Sequence, residues 1–316
     1  MDRNPKMSSW CDMEPLELTI DGLGKSYLLA KYAAQHFGPS VMRKYGDATD
    51  PILRLYDKLG TLTVNDIFRA KSLLEYLELG LRLHGDLIEC GVYRCGMSVL
   101  IGLWLRERHE TRQIYLCDVF SGLPMPDRTV DRRYEAGFFA VPVDRVERTL
   151  ADYGLTDVCV LRPGLFADTL PAFDERQQFA FAHIDGDLYN STIDCLKYLY
   201  PKLADGGPMV FDDYYDQSGG VMRAVNEHAT RTGEVIHLGP VGQATIIKGM
   251  TAQNADVATF AAAVDCGSGK HSVRLSTDRL RQLTSYATLL REARSEFLNH
   301  VQELDRYREL CFGAAR

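Results

Sequence analysis

Short apolar runs alternate with amphipathic stretches from residue 87 onward, and this alternation limits the folds open to the chain. The runs are LIEC (87–90), IYLCD (114–118), VCVL (158–161), FAFAHID (179–185), MVFDD (209–213) and ATIIKG (244–249). Apolar residues recur at helical spacing between several runs, as at Val143, Val146 and Leu150. Strands that alternate with helices form a mainly parallel sheet, and wholly apolar strands are covered on both faces. The pattern therefore predicts an α/β fold: a Rossmann-like sheet with helices on both faces.

The same pattern divides the chain into three regions. Residues 61–250 contain the predicted sheet, preceded by a helical period from Ala70 to Leu81. Residues 1–60 are less regular, and we predict a helical N-terminal extension that is a candidate lid. Residues 251–316 contain a loop-like segment, DCGSGKHS (265–272), and a predicted long helix from about residue 278 to 311.

The predicted C-terminal helix has an apolar heptad seam. Its apolar positions are 280, 283, 287, 290, 297, 301, 304 and 311. Such a seam either packs along the α/β domain or pairs with a second copy of the helix, and the sequence leaves both arrangements open. We expect a homo-oligomer, a dimer or larger.

Composition and charge argue against several classes of protein. A net charge of −7 is atypical of proteins that bind nucleic acid, which need a basic surface. No apolar run approaches the length of a membrane span, and the N-terminal residues lack the apolar segment of a signal peptide, so we expect a cytoplasmic protein without a membrane partner. The eight cysteines form no metal-binding pattern. The segment GSGK (267–270) lacks the other residues of a phosphate-binding loop.

A glycine-containing turn follows the first predicted strand. The segment ECGVYRCGMS contains Glu89, Gly91 and Gly96, after which a helix is predicted. Glycine allows close approach of the backbone, and a helix N-terminus favours a negatively charged group such as a cofactor carboxylate. The next strand ends at Asp118, where doubly wound folds place a carboxylate on the ribose hydroxyls of a cofactor. A plain structural turn and a helix-capping aspartate are the alternatives.

Four carboxylates follow two other predicted strands. Asp185 and Asp187 come after one strand, and Asp212 and Asp213 after the next. Ligands of open α/β sheets lie beyond the carboxyl ends of the strands, so these residues are expected to converge. Their mutual repulsion calls for a cation, and hard oxygen ligands suit Mg²⁺. Solvated turn residues are the alternative reading.

Taken in order, ECGVYRCGMS, DVFSGLP, RPGLFADTLP, HIDGDLYNST and FDDYYD resemble the macrocin O-methyltransferase (TylF/MycF-like) family of antibiotic sugar methyltransferases, over about residues 61–249. The resemblance implies a class I methyltransferase fold, S-adenosylmethionine as cofactor and Mg²⁺ as the metal. One departure is Cys95, where relatives usually have glycine.

The resemblance also implies roles for individual residues. Candidate cofactor-binding residues are Glu89, Gly91, Tyr93, Gly96, Ser98, Asp118, Ser121, Phe166 and Asp185. Candidate metal ligands are Asp185, Asp212 and Asp213, with the choice between Asp185 and Asp187 left open. Catechol methyltransferases place a lysine at the position of Leu188, so the base must differ here. We predict Asp187 as the catalytic base, with His183 as the weaker candidate.

The implied function is O-methylation of a small hydroxylated molecule, with a glycoside as the favoured acceptor. A catechol-like or phenolic acceptor is the nearest alternative. A non-catalytic partner that binds S-adenosylmethionine and assembles through the heptad helix is a third reading. The complete acidic cluster argues against that reading, because a pure binding module has no need of a divalent metal.

Overall fold

The computed structural model describes residues 20–215 and 220–251, together with 262–265, 270–273, 288–289, 291–292 and 295–296. The helices are α1 (Ile20–Tyr45), α2 (Pro51–Asp57), α3 (Ile67–Gly80), α4 (Gly96–Glu107), α5 (Val143–Asp152), α6 (Phe166–Thr169), α7 (Tyr189–Tyr198) and α8 (Val221–Thr232). The strands are β1 (Asp86–Cys90), β2 (Ile114–Asp118), β3 (Cys159–Pro163), β4 (Phe179–Ile184), β5 (Pro208–Phe211), β6 (Glu234–Leu238), β7 (Ala244–Thr251), β8 (Ala262–Asp265) and β9 (Lys270–Val273).

Seven strands form one sheet in the order β3-β2-β1-β4-β5-β7-β6. The five strands β1 to β5 run parallel, whereas β7 is antiparallel to both β5 and β6. The prediction of a mainly parallel α/β sheet is therefore confirmed. Since β4 and β5 are buried along their whole length, their mostly apolar sequences follow from cover on both faces.

Successive side chains of the sheet face two separate cores. Leu87 belongs to a core shared with α2 to α5, and the next residue, Ile88, belongs to a core shared with α7 and α8. In β4, Phe181 and Ala182 divide between the two cores in the same way. This alternation produces the helix–sheet–helix layering expected from a period of two residues.

Three parts of the sequence prediction need correction. Strand β6 was not predicted, because its segment EVIHL includes the polar residues Glu234 and His237, both of which are buried. Ile193, Leu196, Leu199 and Leu203 recur at helical spacing and predict a helix as far as Leu203, but α7 ends at Tyr198 and is followed by a 3₁₀ turn at Tyr200–Lys202 that contains Pro201. The segment predicted as a loop is partly extended, since β8 and β9 form an antiparallel pair.

The N-terminal helices pack against the same face of the sheet as α4. Asp50 and Asp66 cap α2 and α3, because each carboxylate accepts hydrogen bonds from backbone amides of the first helical turn. Asn65 directly precedes the Asp66 cap of α3 and lies at the edge of the sheet where the parallel strands end.

The predicted C-terminal helix and its heptad seam lie largely outside the described residues, of which 288–289, 291–292 and 295–296 are helical. Within the described part of the chain, no helix combines the length and apolar character needed to cross a membrane.

Candidate active site

A cavity of about 310 Å³ opens beyond the carboxyl ends of the parallel strands. The turns after β1, β2, β3, β4 and β5 all contribute to its walls. A further wall comes from the long connection between β2 and α5, which includes Tyr134 and Phe139, and α1 contributes Lys31. Open α/β sheets bind their ligands at this edge, so the cavity lies where the strand pattern predicted a site.

The glycine turn after β1 is tightly constrained. Gly91 has a φ of +94°, and a Cβ atom at this position would lie 2.0 Å from the backbone oxygen of Asp185. A Cβ on Gly96 would lie 2.6 Å from the Cβ of Thr63. Cys95 has a φ of +57°, which is the left-handed conformation that glycine adopts most readily. The cysteine therefore keeps the turn geometry that a glycine would favour.

Asp118 holds this turn to the end of β2. Its Oδ2 accepts hydrogen bonds from the backbone amides of Val92 at 2.7 Å and Tyr93 at 3.0 Å, and Oδ1 accepts one from Phe120. Asp118 also lines the cavity. The carboxylate thus shapes the turn, and its contact with a ribose remains a prediction.

A buried polar chain runs beneath the cavity from β1 to β5. Glu89 accepts a hydrogen bond from the Ser98 hydroxyl, and its other oxygen lies 3.1 Å from Nδ1 of His183. Nε2 of His183 lies 3.2 Å from Oδ2 of Asp212. Burial by itself lowers the pKa of His183, but Asp212 and Glu89 outweigh it and raise that pKa to about 10. The imidazole is therefore positively charged at neutral pH and joins two carboxylates.

This geometry speaks against His183 as the base. Its side chain is fully buried, it does not line the cavity, and both ring nitrogens contact carboxylates. An acceptor bound in the cavity would therefore not reach it. The weaker of the two base candidates is set aside on these grounds.

Asp212 is held from several sides. Its Oδ2 accepts a hydrogen bond from Nδ2 of Asn65 at 2.8 Å, and its Oδ1 accepts one from Nε2 of Gln243 at 2.8 Å. Burial raises the pKa of Asp212, but the positive charges of Arg69 and His183 outweigh it and lower that pKa below its usual value. Asp212 is only 2% exposed and lies behind the cavity wall.

Three other carboxylates face the cavity together. Asp185, Asp187 and Asp213 each present an oxygen, and these atoms lie within 4.8 Å of one another. His183, Asp185 and Asp212 form a second group of this kind. Hard oxygen donors at such spacing suit a Mg²⁺-sized ion, so the residues present fit the metal that the sequence predicted. The group that faces the cavity contains Asp187 in place of the predicted Asp212.

The proximity of these carboxylates changes their acidity. Burial and the charges of Asp212 and Asp213 raise the pKa of Asp185 to about 7. Burial, followed by the charges of Asp213 and Asp185, raises the pKa of Asp187 well above its usual value. Both shifts arise from negative charges that repel one another in a poorly solvated place, which a bound cation would relieve.

The structure brings most predicted site residues to the cavity. The residues that line it are Glu89, Gly91, Tyr93, Gly96, Asp118, Phe166, Asp185, Asp187 and Asp213. Ser98, His183 and Asp212 lie in the buried layer beneath them. Ser121 is exposed and does not line the cavity, because the chain turns away between Val119 and Gly122.

Several residues at the site were not predicted. Lys31 lies 2.7 Å from Oδ1 of Asp213, and the Asn65 amide contacts both Asp185 and Asp212. Tyr134 makes a side-chain hydrogen bond to Asp187. No local motif marks these residues, since each comes from a segment far from the aspartates in the sequence. The one weak signal is the polar pair Asn65-Asp66, which directly precedes α3.

The chain is similar in sequence to known proteins. Residues 79–239, about half of the 316-residue chain, match the family described as Macrocin-O-methyltransferase (TylF). The 8-demethyl-8-(2,3-dimethoxy-alpha-L-rhamnosyl)-tetracenomycin-C 4'-O-methyltransferase of Streptomyces olivaceus is 40% identical over 139 residues, 41% of this chain and 53% of that protein. The demethyldecarbamoylnovobiocin O-methyltransferase of Streptomyces niveus is 35% identical over 164 residues, 48% of this chain and 62% of that protein. The chain thus spans between half and two thirds of the length of these relatives.

The fold agrees with this match. The solved structure of the O-methyltransferase NovP is similar at a TM-score of 0.54 and 30% identity, covering 59% of this chain and 81% of that chain. The architecture is therefore that of a class I methyltransferase, as the motifs implied. Since the family match includes the glycine turn, Asp118 and all four clustered aspartates, the chain belongs to the macrocin-O-methyltransferase (TylF) family.

Proposed function

We propose that this protein is an S-adenosylmethionine- and Mg²⁺-dependent O-methyltransferase that acts on a sugar hydroxyl of a glycosylated small molecule. One observation carries the proposal: Asp185, Asp187 and Asp213 face the same cavity as the glycine turn. The close approach of Gly91 to the Asp185 backbone brings these two features into direct contact. A methyl donor and a metal-bound acceptor would therefore be neighbours.

The cofactor would lie along the walls formed by β1, β2 and β3. By resemblance, Glu89 and Gly91 would be near its methionine end, Asp118 near the ribose and Phe166 near the adenine. All four residues line one continuous cavity. When bound, the cofactor supplies the methyl group. The chain contributes positioning, which provides a large part of the rate of transfer between two bound reactants.

The metal would be held by carboxylates from the two acidic turns. We assign Asp185 and Asp213 as ligands that face the cavity, whereas Asp212, the third predicted ligand, would bind from behind the cavity wall beside Asp185. When bound, the ion supplies positive charge that lowers the pKa of an acceptor hydroxyl. Asn65 and Gln243 orient the carboxylate of Asp212 by their hydrogen bonds, as outer residues of metal sites commonly do.

Asp187 remains the proposed base. Its carboxylate lines the cavity beside Asp185 and Asp213, whereas His183 does not. A raised pKa makes it a stronger proton acceptor than an ordinary aspartate once it is deprotonated. The Tyr134 hydroxyl donates a hydrogen bond to Asp187. This bond would hold the carboxylate in place while the carboxylate takes a proton from the acceptor.

A glycoside is the favoured acceptor because the name of the Streptomyces olivaceus relative specifies a rhamnosyl tetracenomycin. The test is release of S-adenosylhomocysteine from purified protein with rhamnosyl glycosides and with catechol, each with Mg²⁺ and with EDTA. We expect Mg²⁺-dependent release with a glycoside and little with catechol. Release with catechol alone would favour the phenolic reading, and release that persists in EDTA would overturn the metal requirement.

We also propose that the protein is a cytoplasmic homo-oligomer and that residues 1–60 cover the site. The heptad seam supports self-association, and the position of Lys31 on the cavity wall supports a covering role for α1. Light scattering after size exclusion, on the full chain and on a chain ending at residue 277, tests whether the protein self-associates. A monomeric full chain would contradict it.

A further inference from the structure

Lys31 enters the acidic site from outside the sheet. It lies on α1, which precedes the family match at residues 79–239, and its ammonium is 2.7 Å from Oδ1 of Asp213. The positive charge of the same lysine also favours the ionised form of Asp187. A positive charge from the N-terminal extension thus lies among the carboxylates that face the cavity.

Asp213 has a second cation on the same oxygen. Nη1 of Arg69 lies 3.3 Å from Oδ1 of Asp213, and Nε of Arg69 lies 3.0 Å from Oδ2 of Asp66. The Arg69 side chain is fully buried, and Asp66 is itself fixed as the cap of α3. Arg69 is therefore expected to keep its position next to Asp213. Lys31 differs, because its side chain is 20% exposed, lines the cavity and has a flexible stem.

A divalent ion held by Asp213 would be a third cation on one carboxylate. Like charges at such short range repel one another strongly in a poorly solvated site. Since Arg69 is fixed, the repulsion would act on Lys31. We propose that Lys31 is the competing counter-cation of the metal site: its ammonium neutralises Asp213 in the metal-free protein, and the metal binds by displacing it. This inference rests on the proposed metal requirement.

Two consequences follow from this exchange. First, Lys31 weakens metal binding, because its contact with Asp213 must be given up. Second, metal binding weakens the attachment of α1 to the site, because coupling between two binding events is reciprocal. Binding of a metal ion would therefore loosen the contact between α1 and the cavity wall by displacing Lys31.

The test is calorimetric titration of Mn²⁺ into metal-free protein, comparing wild type with Lys31→Met, Lys31→Arg and Lys44→Met. Lys44 lies on the same helix, is exposed and pairs with Glu296, so Lys44→Met removes the same charge away from the site. We expect Lys31→Met to bind Mn²⁺ on the order of tenfold more tightly than wild type, because a cation at the binding carboxylate has been removed. Lys31→Arg and Lys44→Met should remain close to wild type.

Equal or weaker binding by folded Lys31→Met would overturn the inference while leaving the metal requirement intact. Absence of Mn²⁺ binding by wild type and variant alike would overturn the metal requirement and the inference with it. Hydrogen exchange of the wild-type protein gives an independent measurement if Lys31→Met does not fold. Mn²⁺ should speed exchange in peptides from the middle of α1 and leave α4 unchanged, and slower exchange in α1 would contradict the displacement.

Discussion

The side-chain amide of Asn65 lies 2.8 Å from Oδ2 of Asp212 and joins the start of α3 to the end of β5. The same nitrogen is 3.3 Å from Oδ2 of Asp185, so one amide contacts both acidic turns. Asn65 is 3% exposed, and water therefore has little opportunity to replace it. This contact sets the distance between two carboxylates that the proposed metal site needs.

Replacing Asn65 with alanine should weaken metal binding and destabilise the fold. The change removes hydrogen bonds to the buried carboxylate of Asp212 and the partly buried carboxylate of Asp185, which costs about 1–3 kcal/mol. Urea unfolding measures the stability, and Mn²⁺ titration measures the affinity. Asn190→Ala serves as the control, because Asn190 also lines the cavity but is exposed. Equal effects of the two substitutions would show that the Asn65 contacts are not important.

Replacing Asp187 with asparagine should leave cofactor binding intact and remove most turnover. Loss of a general base typically slows a reaction by about 10²–10⁴-fold. S-adenosylhomocysteine affinity and the rate of its release measure the two properties. Asp194→Asn is the matched control, since Asp194 is another carboxylate on the cavity wall. Turnover within a fewfold of wild type for Asp187→Asn would refute the assignment of the base.

His183 should give the metal-free protein a stability that depends on pH. Its pKa is raised to about 10 in the folded state, because Asp212 and Glu89 outweigh burial, against 6.5 for an ordinary histidine. A raised pKa means that the stabilisation is complete below about pH 6.5 and is lost as the pH rises through about 10.

The measurement compares the unfolding free energy of wild type and His183→Gln from pH 6 to pH 10. We expect the difference between them to shrink steadily as the pH rises. His84→Gln, at an exposed histidine, is the control for the substitution itself. A difference that stays constant with pH would mean that His183 is held as a neutral ring.

Gly91→Ala should abolish cofactor binding, whereas Gly154→Ala should not. Both glycines have positive φ, of +94° and +66°, so both substitutions introduce backbone strain of about 1–2 kcal/mol. Only at Gly91 does the new Cβ meet another segment, 2.0 Å from the Asp185 backbone oxygen, while nothing lies within 4 Å at Gly154. Thermal unfolding and S-adenosylhomocysteine titration separate strain from displacement of the acidic turn. Retained binding by Gly91→Ala would show that the turn can move without consequence.

The sheet was largely predictable because most residues of its parallel strands are apolar. Runs such as the one ending at Ile184 are typical of strands that helices cover on both faces. Strand β6 escaped prediction because Glu234 and His237 are buried polar residues, and Glu234 finds a partner in Tyr200. The sequence alone does not show which residue will form a hydrogen bond with a buried polar side chain.

The site was predictable only in part for a similar reason. Strand ends revealed the four aspartates, but the sequence did not show that Asp187 faces the cavity while Asp212 lies behind it. Lys31 and Asn65 reach these aspartates from 182 and 120 residues away along the chain. Such contacts follow from how the N-terminal helices dock on the sheet, which periodicity does not specify.

The proposed function requires the cavity-facing aspartates to bind a divalent ion next to the methyl donor. Anomalous diffraction from crystals grown with Mn²⁺ and S-adenosylhomocysteine tests it most directly, because the metal and the cofactor are located in one experiment. We predict one manganese peak in contact with the carboxylates of Asp185 and Asp213, with the cofactor beside Gly91 and Asp118. A cofactor bound in the cavity without manganese at these aspartates would contradict the proposed metal site.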